Sequence, residues 1–355
     1  MGENIFKHVI KKEDTLESLA NQYDVSIDEL IKYHNSFSGV TNLIVSNVLP
    51  MHLDYIVIDR NFIKNKEINN AENGKINLNN KARYRCEQNN LVLVDGNPNF
   101  SAQTKTQYLL SNKQDIGFSL LNAILEDYVT AVQPAGMESA FELIKHIEQI
   151  RSDITFAHSE GKINKVINLK ELHEKWEFFL DKTSQNISFY NELNNKSPEV
   201  IKDFIENGRK EFSNEHIFSE VISKNLFYHT LINVYKNNDA NEYSFTQQSQ
   251  LFPNIMLNVN VIKSIVTEDE NSTTYRLVGV LDRSKLNEVE IKNLYEQMYQ
   301  PIIKFSFTEF DYIYRITYQI ESSTGQLIKS SASIKEFVKN NYDVITKFEL
   351  RRVEL

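Results

Sequence analysis

Two helix-entry signals twelve positions apart constrain the opening of this chain more than anything that follows them. Asp14-Thr15-Leu16-Glu17 and Ser26-Ile27-Asp28-Glu29 each place an acceptor side chain three residues ahead of Glu, which satisfies orphan N–H groups reciprocally at a helix start. After the first signal, Leu16, Leu19, Ala20 and Tyr23 share one helical face; after the second, Ile27, Leu30 and Ile31 repeat the spacing. Val9 and Ile10 before them, and Val48, Leu49 and Met51 after them, supply short strands. Residues 1–58 are therefore expected to form a small βααβ unit.

Those residues also carry a resemblance. The words His8-Val9-Ile10-Lys11-Lys12-Glu13-Asp14-Thr15-Leu16, Leu19-Ala20, Tyr23-Asp24-Val25-Ser26 and Glu29-Leu30, with Asn35 following helix two, resemble the lysin motif (LysM) family over the first part of the chain. The resemblance implies a shallow groove for N-acetylglucosamine polymers between the loop after strand one and the loop before strand two. Carried over by position, Asp14, Thr15 and Leu16 line one side and Ile44, Val45, Ser46 and Asn47 the other. Two positions depart from the family's pattern: Glu13 stands where Gly is usual, and Val45-Ser46 where Pro-Gly is usual. A charged side chain replaces a residue suited to close backbone approach. These departures shift the expectation from reading sugar to docking protein, with peptidoglycan binding as the alternative.

Compartment bears on the same choice. Residues 1–8 have no apolar h-region and no small-residue cleavage site, and no run of apolar residues is long enough to span a bilayer. The single cysteine, Cys86, fits a reducing environment. The expectation is a protein that is cytoplasmic at synthesis, with no integral membrane segment. LysM-like modules without a signal peptide occur in contractile injection machines, type VI secretion systems among them. The resemblance thereby implies protein partners such as a spike, a baseplate component or cargo.

With 355 residues, 41% hydrophobic and 11% aromatic, the chain has material for more than one core. A net charge of −9 argues against nucleic acid and against an anionic membrane surface, because Lys and Arg do not cluster along the sequence. The fold class expected is α+β in four stretches. The module, 1–58, is followed by a linker with short strands, 59–115, that join a sheet made later. Residues 116–240 read as a helical domain and 241–355 as an antiparallel β domain.

Within 59–115, the text 69–74 is Asn-rich linker, while Arg83 to Glu87 and Asn90 to Gly96 read as extended segments joined by an Asn-rich turn. Helical stripes follow at Leu120, Leu121, Ile124, Leu125 and Tyr128; at Phe141, Ile144, Ile147, Ile150 and Ile154; and at Leu169, Leu172, Trp176, Phe179 and Leu180. Ser197-Pro198 marks a helix start and Asn207-Gly208 a stop. In the last hundred residues the period changes to two. Tyr312, Tyr314, Ile316, Tyr318 and Ile320 alternate without a break, and Ser323-Thr324-Gly325 turns the chain into the next strand.

Chemistry is sparse. His173-Glu174 begins like a zinc-protease helix, but Glu177 occupies the place of the second imidazole. His146 and His158 stand twelve apart on expected helix, and one cysteine excludes a thiolate zinc site within the chain. Cys86 reads as a small core residue. No phosphate loop and no nucleophile elbow occur. The carboxylates at Glu126-Asp127 and Glu268-Asp269-Glu270 leave open a cell-wall hydrolase as a second alternative. The expectation is a non-enzymatic adaptor with no metal and no cofactor, docking through its module and through Tyr312, Tyr314, Tyr318 and Phe252, since Tyr-rich sheets supply rigid interface area.

Overall fold

The computed structural model describes residues 5–39, 42–50, 52–63, 78, 80–115, 118–159, 161–235 and 241–354; the stretch 69–74, Met51 and Ile116 lie outside them. Helices and a large antiparallel sheet share the chain, which is an α+β composition.

At the N-terminus, β1 (Ile5–Val9) pairs antiparallel with β2 (Tyr55–Asp59), and α1 (Leu16–Tyr23) and α2 (Ile27–Phe37) connect them. The second strand is not the segment at Val48-Leu49. Val48 is exposed, whereas Ile56 and Ile58 join Leu16, Leu19, Tyr23 and Leu30 in one small core. Ser26 and Glu29 form the capping box their spacing predicts. At α1 the box is shifted by one residue. Thr15 Oγ1 accepts from Ser18 N–H at 3.0 Å while Ser18 Oγ accepts from Thr15 N–H at 2.8 Å. Asp14 lies one position too early to cap, and its carboxylate accepts from Lys11 N–H instead.

Among the described residues the large sheet holds eleven strands in the order β7-β6-β5-β4-β3-β13-β12-β11-β10-β9-β8. They are β3 (Asn80–Val94), β4 (Asn97–Asp115), β5 (Phe118–Gln133), β6 (Asp153–Ser159), β7 (Lys162–Val166), β8 (Glu242–Gln248), β9 (Met256–Glu268), β10 (Ser272–Leu281), β11 (Phe310–Glu321), β12 (Leu327–Val338) and β13 (Tyr342–Val353). Two meanders meet where β3 pairs with β13. Asn89-Asn90 is not a turn but the middle of β3. The chain reverses at Asp95 and Gly96, whose φ values of 49° and 73° are those of a two-residue hairpin.

Residues 120–128, expected as helix, form β5 instead, and Ile154 falls in β6. The reason is that both faces are covered there. Leu121 and Ala123 enter the main core, while Leu120 packs with Ala157, Ile63 and Leu78 on the other side. A strand apolar on both faces loses its alternation, and period no longer separates it from helix. The stretch 116–240 is accordingly mixed.

The helices α3 (Glu138–Ile150), α4 (Leu169–Phe178), α5 (Ser188–Lys196), α6 (Pro198–Ser213), α7 (Glu215–Lys224) and α8 (Glu288–Met298) contribute to the core on the sheet face that carries Tyr84, Cys86 and Tyr108. Trp176 is fully buried, with the rings of Phe179, Phe204 and Phe212 centred 5.3–5.5 Å from its own. Gly208 does not stop a helix. α6 runs through it to Ser213, because Trp176 occupies the place of its side chain: a Cβ there would lie 2.1 Å from Trp176 Cζ2. Gly208→Ala is therefore expected to lose about 2 kcal/mol, an overpacking cost of about 3 partly offset by about 1 of helix propensity. Urea unfolding measures it; an unchanged midpoint would refute the close approach.

Candidate functional site

The module's two candidate loops leave the same end of its sheet. Val9 pairs with Tyr55, and Ile10 N–H donates to Asp54 C=O at 3.0 Å, so the loop after β1 and the loop before β2 start side by side. On the β1 side, the Asp14 carboxylate accepts from Lys11 N–H at 2.7 Å and pairs with His8 Nε2 at 3.1 Å. The Lys11 N–H and then His8 hold this carboxyl below its usual range. His8 Nδ1 in turn lies 2.7 Å from Tyr23 Oη, and burial pushes that phenol up to about 12. Leu16 is buried.

On the β2 side, the Asn35 side chain clamps Ile44 at both backbone atoms. Its Nδ2 donates to Ile44 C=O and its Oδ1 accepts from Ile44 N–H, each at 2.8 Å. Asn35 belongs to α2 and does not follow it, so the clamp ties the loop to a rigid element. Next to it, the fully buried His34 accepts from Val57 N–H at Nδ1 (2.9 Å) and donates from Nε2 to Asn42 C=O (2.8 Å). Backbone donation into Nδ1 leaves the proton on Nε2. Ile44 is buried above the same core as Leu16. Immediately after this anchor, Val45 is 91% exposed, Ser46 and Asn47 stand in solvent, and Val48 is 70% exposed.

The seven residues carried over by position thus divide three ways. Leu16 and Ile44 are core. Asp14 and Thr15 have hydrogen-bonding atoms engaged inside the module, while Val45, Ser46 and Asn47 present themselves outward. The sequence did not single out His34 or the clamping role of Asn35. Their signal was an adjacent pair of hydrogen-bonding side chains in the last turn of a helix, just ahead of a polar loop.

Residues 8–34 match the LysM domain family. The matched LysM segment covers α1 and most of α2 and stops one residue before the clamp. No curated protein matches the chain.

The tyrosines and Phe252 expected to dock a partner are interior, which corrects that expectation. Tyr312, Tyr314 and Tyr318 occupy the inward positions of β11, and Phe252 packs against Tyr299 and Phe310. Tyr314 Oη meets His229 Nε2 at 2.8 Å, and Tyr318 stacks on Tyr275 at 5.1 Å. Their apolar area is spent within the chain. Cys86 is buried as well, and burial pushes its thiol up to about 12. Glu177, in the would-be zinc helix, pairs with Arg209 at 2.8 Å, and His158 lies on β6 rather than on helix. Among the described residues, no group of three or more His, Cys, Asp and Glu side chains is placed to hold a metal, and no helix is long and apolar enough to cross a membrane.

Proposed function

We propose that the LysM segment binds a polymer of N-acetylglucosamine-containing sugar, peptidoglycan above all, and that the chain works by binding and not by catalysis. One observation carries this reading: the loop before β2 is fixed at its base yet turns its next residues to solvent. Asn35 and His34 hold the backbone on either side of residue 43, while Val45 is almost wholly exposed. A loop already immobilised loses little freedom on binding. Val45 and Val48 offer apolar area to the C–H face of a sugar ring, and Ser46 and Asn47 offer donors and acceptors to its hydroxyl and acetamido groups.

The test is sedimentation of the full chain with purified sacculi. The wild-type protein is expected in the pellet, and Val45→Asp, which changes only an exposed position, is expected to weaken retention by about tenfold, the equivalent of about 1.4 kcal/mol. Wild-type protein left in the supernatant, or a V45D variant that pellets equally well, would sink the proposal.

A second reading keeps the module as a joint between proteins of a contractile injection machine. Asp14 and Thr15, on the β1 side, already spend hydrogen-bonding atoms inside the fold, which leaves less of that loop for sugar. Under this reading V45D releases the chain from a spike or baseplate component during co-purification, and sacculi retain neither form.

A further inference from the structure

Among the described residues the large sheet ends at β7 and at β8, and only the first of these edges is guarded. An edge strand offers a row of unpaired N–H and C=O groups to any passing chain, so natural sheets blunt it with lysines, bulges or a covering helix or loop. β7 uses all of these devices. It is five residues long and carries Lys162 and Lys165, and its register on β6 shifts between Ala157 and His158. Its Val166 N–H donates to the carboxylate of Glu215, the first residue of α7. β8 uses none of them. Its residues Glu242 to Gln248 include no lysine and no proline, and they pair with β9 without a shift of register.

The groups of β8 that remain free follow from parity. Lys263 N–H donates to Asn241 C=O at one end, and Ser249 N–H to Ile255 C=O at the other, each at 2.8 Å. With Glu242 in register with Ile262, the odd-numbered residues therefore bond to β9. The N–H and C=O groups of Glu242, Ser244, Thr246 and Gln248 point the other way, and among the described residues nothing bonds to them. The strand that carries them is anchored. Phe245 packs inward, its ring centred 5.2 Å from that of Tyr314 and 6.2 Å from that of His229. On the opposite face Ser244 Oγ donates to Asn260 Oδ1 at 2.8 Å and Thr246 Oγ1 to Asn258 Oδ1 at 3.0 Å, which lays both side chains over β9 and clear of the edge.

A second copy of the same strand fits this edge. An antiparallel pairing about a two-fold axis at Phe245 sets Ser244 opposite the partner's Thr246 and Glu242 opposite the partner's Gln248. All four residues turn their free backbone groups to that side, and each such pair exchanges two hydrogen bonds. No like charges meet. Glu242 and its counterpart stand six residues apart along the strands, about 20 Å, which is beyond the reach of screened repulsion. Phe245 meets its counterpart at a non-hydrogen-bonded position, where opposite side chains come closest and an aromatic pair is favourable. A strand of another protein could use the same backbone groups, but β8 alone supplies side chains that match themselves in a register that closes. From this self-complementarity we infer that β8 pairs with β8 of a second copy, joining two sheets into one. The pair carries two LysM segments, which on the sugar-binding reading gives a repeating polymer two points of attachment.

Sedimentation equilibrium of the full chain over about 1 to 100 μM tests this, the range in which a small interface is half dissociated. The wild type is expected to move from the mass of one chain to that of two. Ser244→Lys combined with Thr246→Lys sets an ammonium opposite an ammonium at two places in this register and is expected to weaken association about tenfold or more. Ser244→Lys combined with Thr246→Glu sets an ammonium opposite a carboxylate at the same places and is expected to pair at least as tightly as the wild type. Both positions are exposed, so neither change disturbs the core. A one-chain mass for the wild type at every concentration would leave the edge to a strand of another protein and overturn the inference. So would an S244K/T246K variant that pairs undiminished, or an S244K/T246E variant that pairs no better than S244K/T246K. The measurement contains no sugar, so it fails separately from the sacculus experiment.

Discussion

Replacing Glu336 by leucine is expected to cost about 3 to 5 kcal/mol of stability, measured as the loss in urea-unfolding free energy of the full chain. Glu336 lies on β12 with its side chain among the core residues, 1% exposed. Its carboxylate accepts from Ser249 Oγ at 2.7 Å, from Gln250 N–H at 2.9 Å and from Leu251 N–H at 3.2 Å. Ser249 Oγ accepts in turn from Phe252 N–H at 3.0 Å. The carboxylate therefore organises the turn that seats Phe252 between Tyr299 and Phe310. Leucine fills similar space but accepts nothing, and each stranded donor costs about 1 to 3 kcal/mol, less than additively.

Glu336→Gln keeps one acceptor oxygen and is expected to lose about 1 to 2 kcal/mol. It also removes a pH dependence. Burial raises the carboxyl above its ordinary value of 4.5, with the hydrogen bonds from Gln250, Ser249 and Leu251 opposing the rise. The folded state then holds this proton more tightly than the unfolded chain does. This contribution is greatest below 4.5 and is lost as pH rises through the raised folded value. A leucine variant within about 1 kcal/mol of wild type would show that Glu336 does not hold the turn.

What the sequence disclosed followed the range of the interactions. Ser26 and Glu29 are three residues apart, and their capping box was legible because nothing distant decides it. The α1 box was legible only to within one residue, since Ser18 can play the part expected of Glu17. β5 was misread because Leu120 and Leu121 are both buried, on opposite faces, by neighbours the sequence does not announce. Gly208 was misread as a stop because Trp176, thirty-two positions earlier, gives it its purpose.

The candidate sites divide in the same way. Val45 to Asn47 were named by position within a resemblance, but what holds the base of their loop is Asn35, whose clamp on Ile44 needs the folded loop to be seen. The tyrosine alternation on β11 correctly gave a strand and could not say which face the helices cover. The reading that Lys and Arg do not cluster was made along the chain, where the register of a sheet is not visible. Positions 85, 351 and 329 become neighbours only through the register of three strands.

The second large effect is expected under mild acid. His229 sits edge-on to Tyr314 and Phe245, with Nε2 2.8 Å from Tyr314 Oη, and its apolar surroundings pull the imidazole down to about 4 from an ordinary 6.5. The unfolded chain then binds this proton when the folded one does not. Stability from His229 is complete above 6.5 and is lost as pH falls from there through about 4, the reverse of the Glu336 dependence. Water still reaches part of the residue, so the amount at stake is about 2 to 3 kcal/mol. His229→Gln cannot take up the proton and is expected to flatten the stability profile over that window while keeping a partner for the Tyr314 hydroxyl. Unfolding free energies of both proteins at intervals between pH 4 and 7 decide it. Parallel profiles would mean that His229 changes charge in the folded and unfolded chain alike, and that the contact with Tyr314 does not depend on a neutral ring.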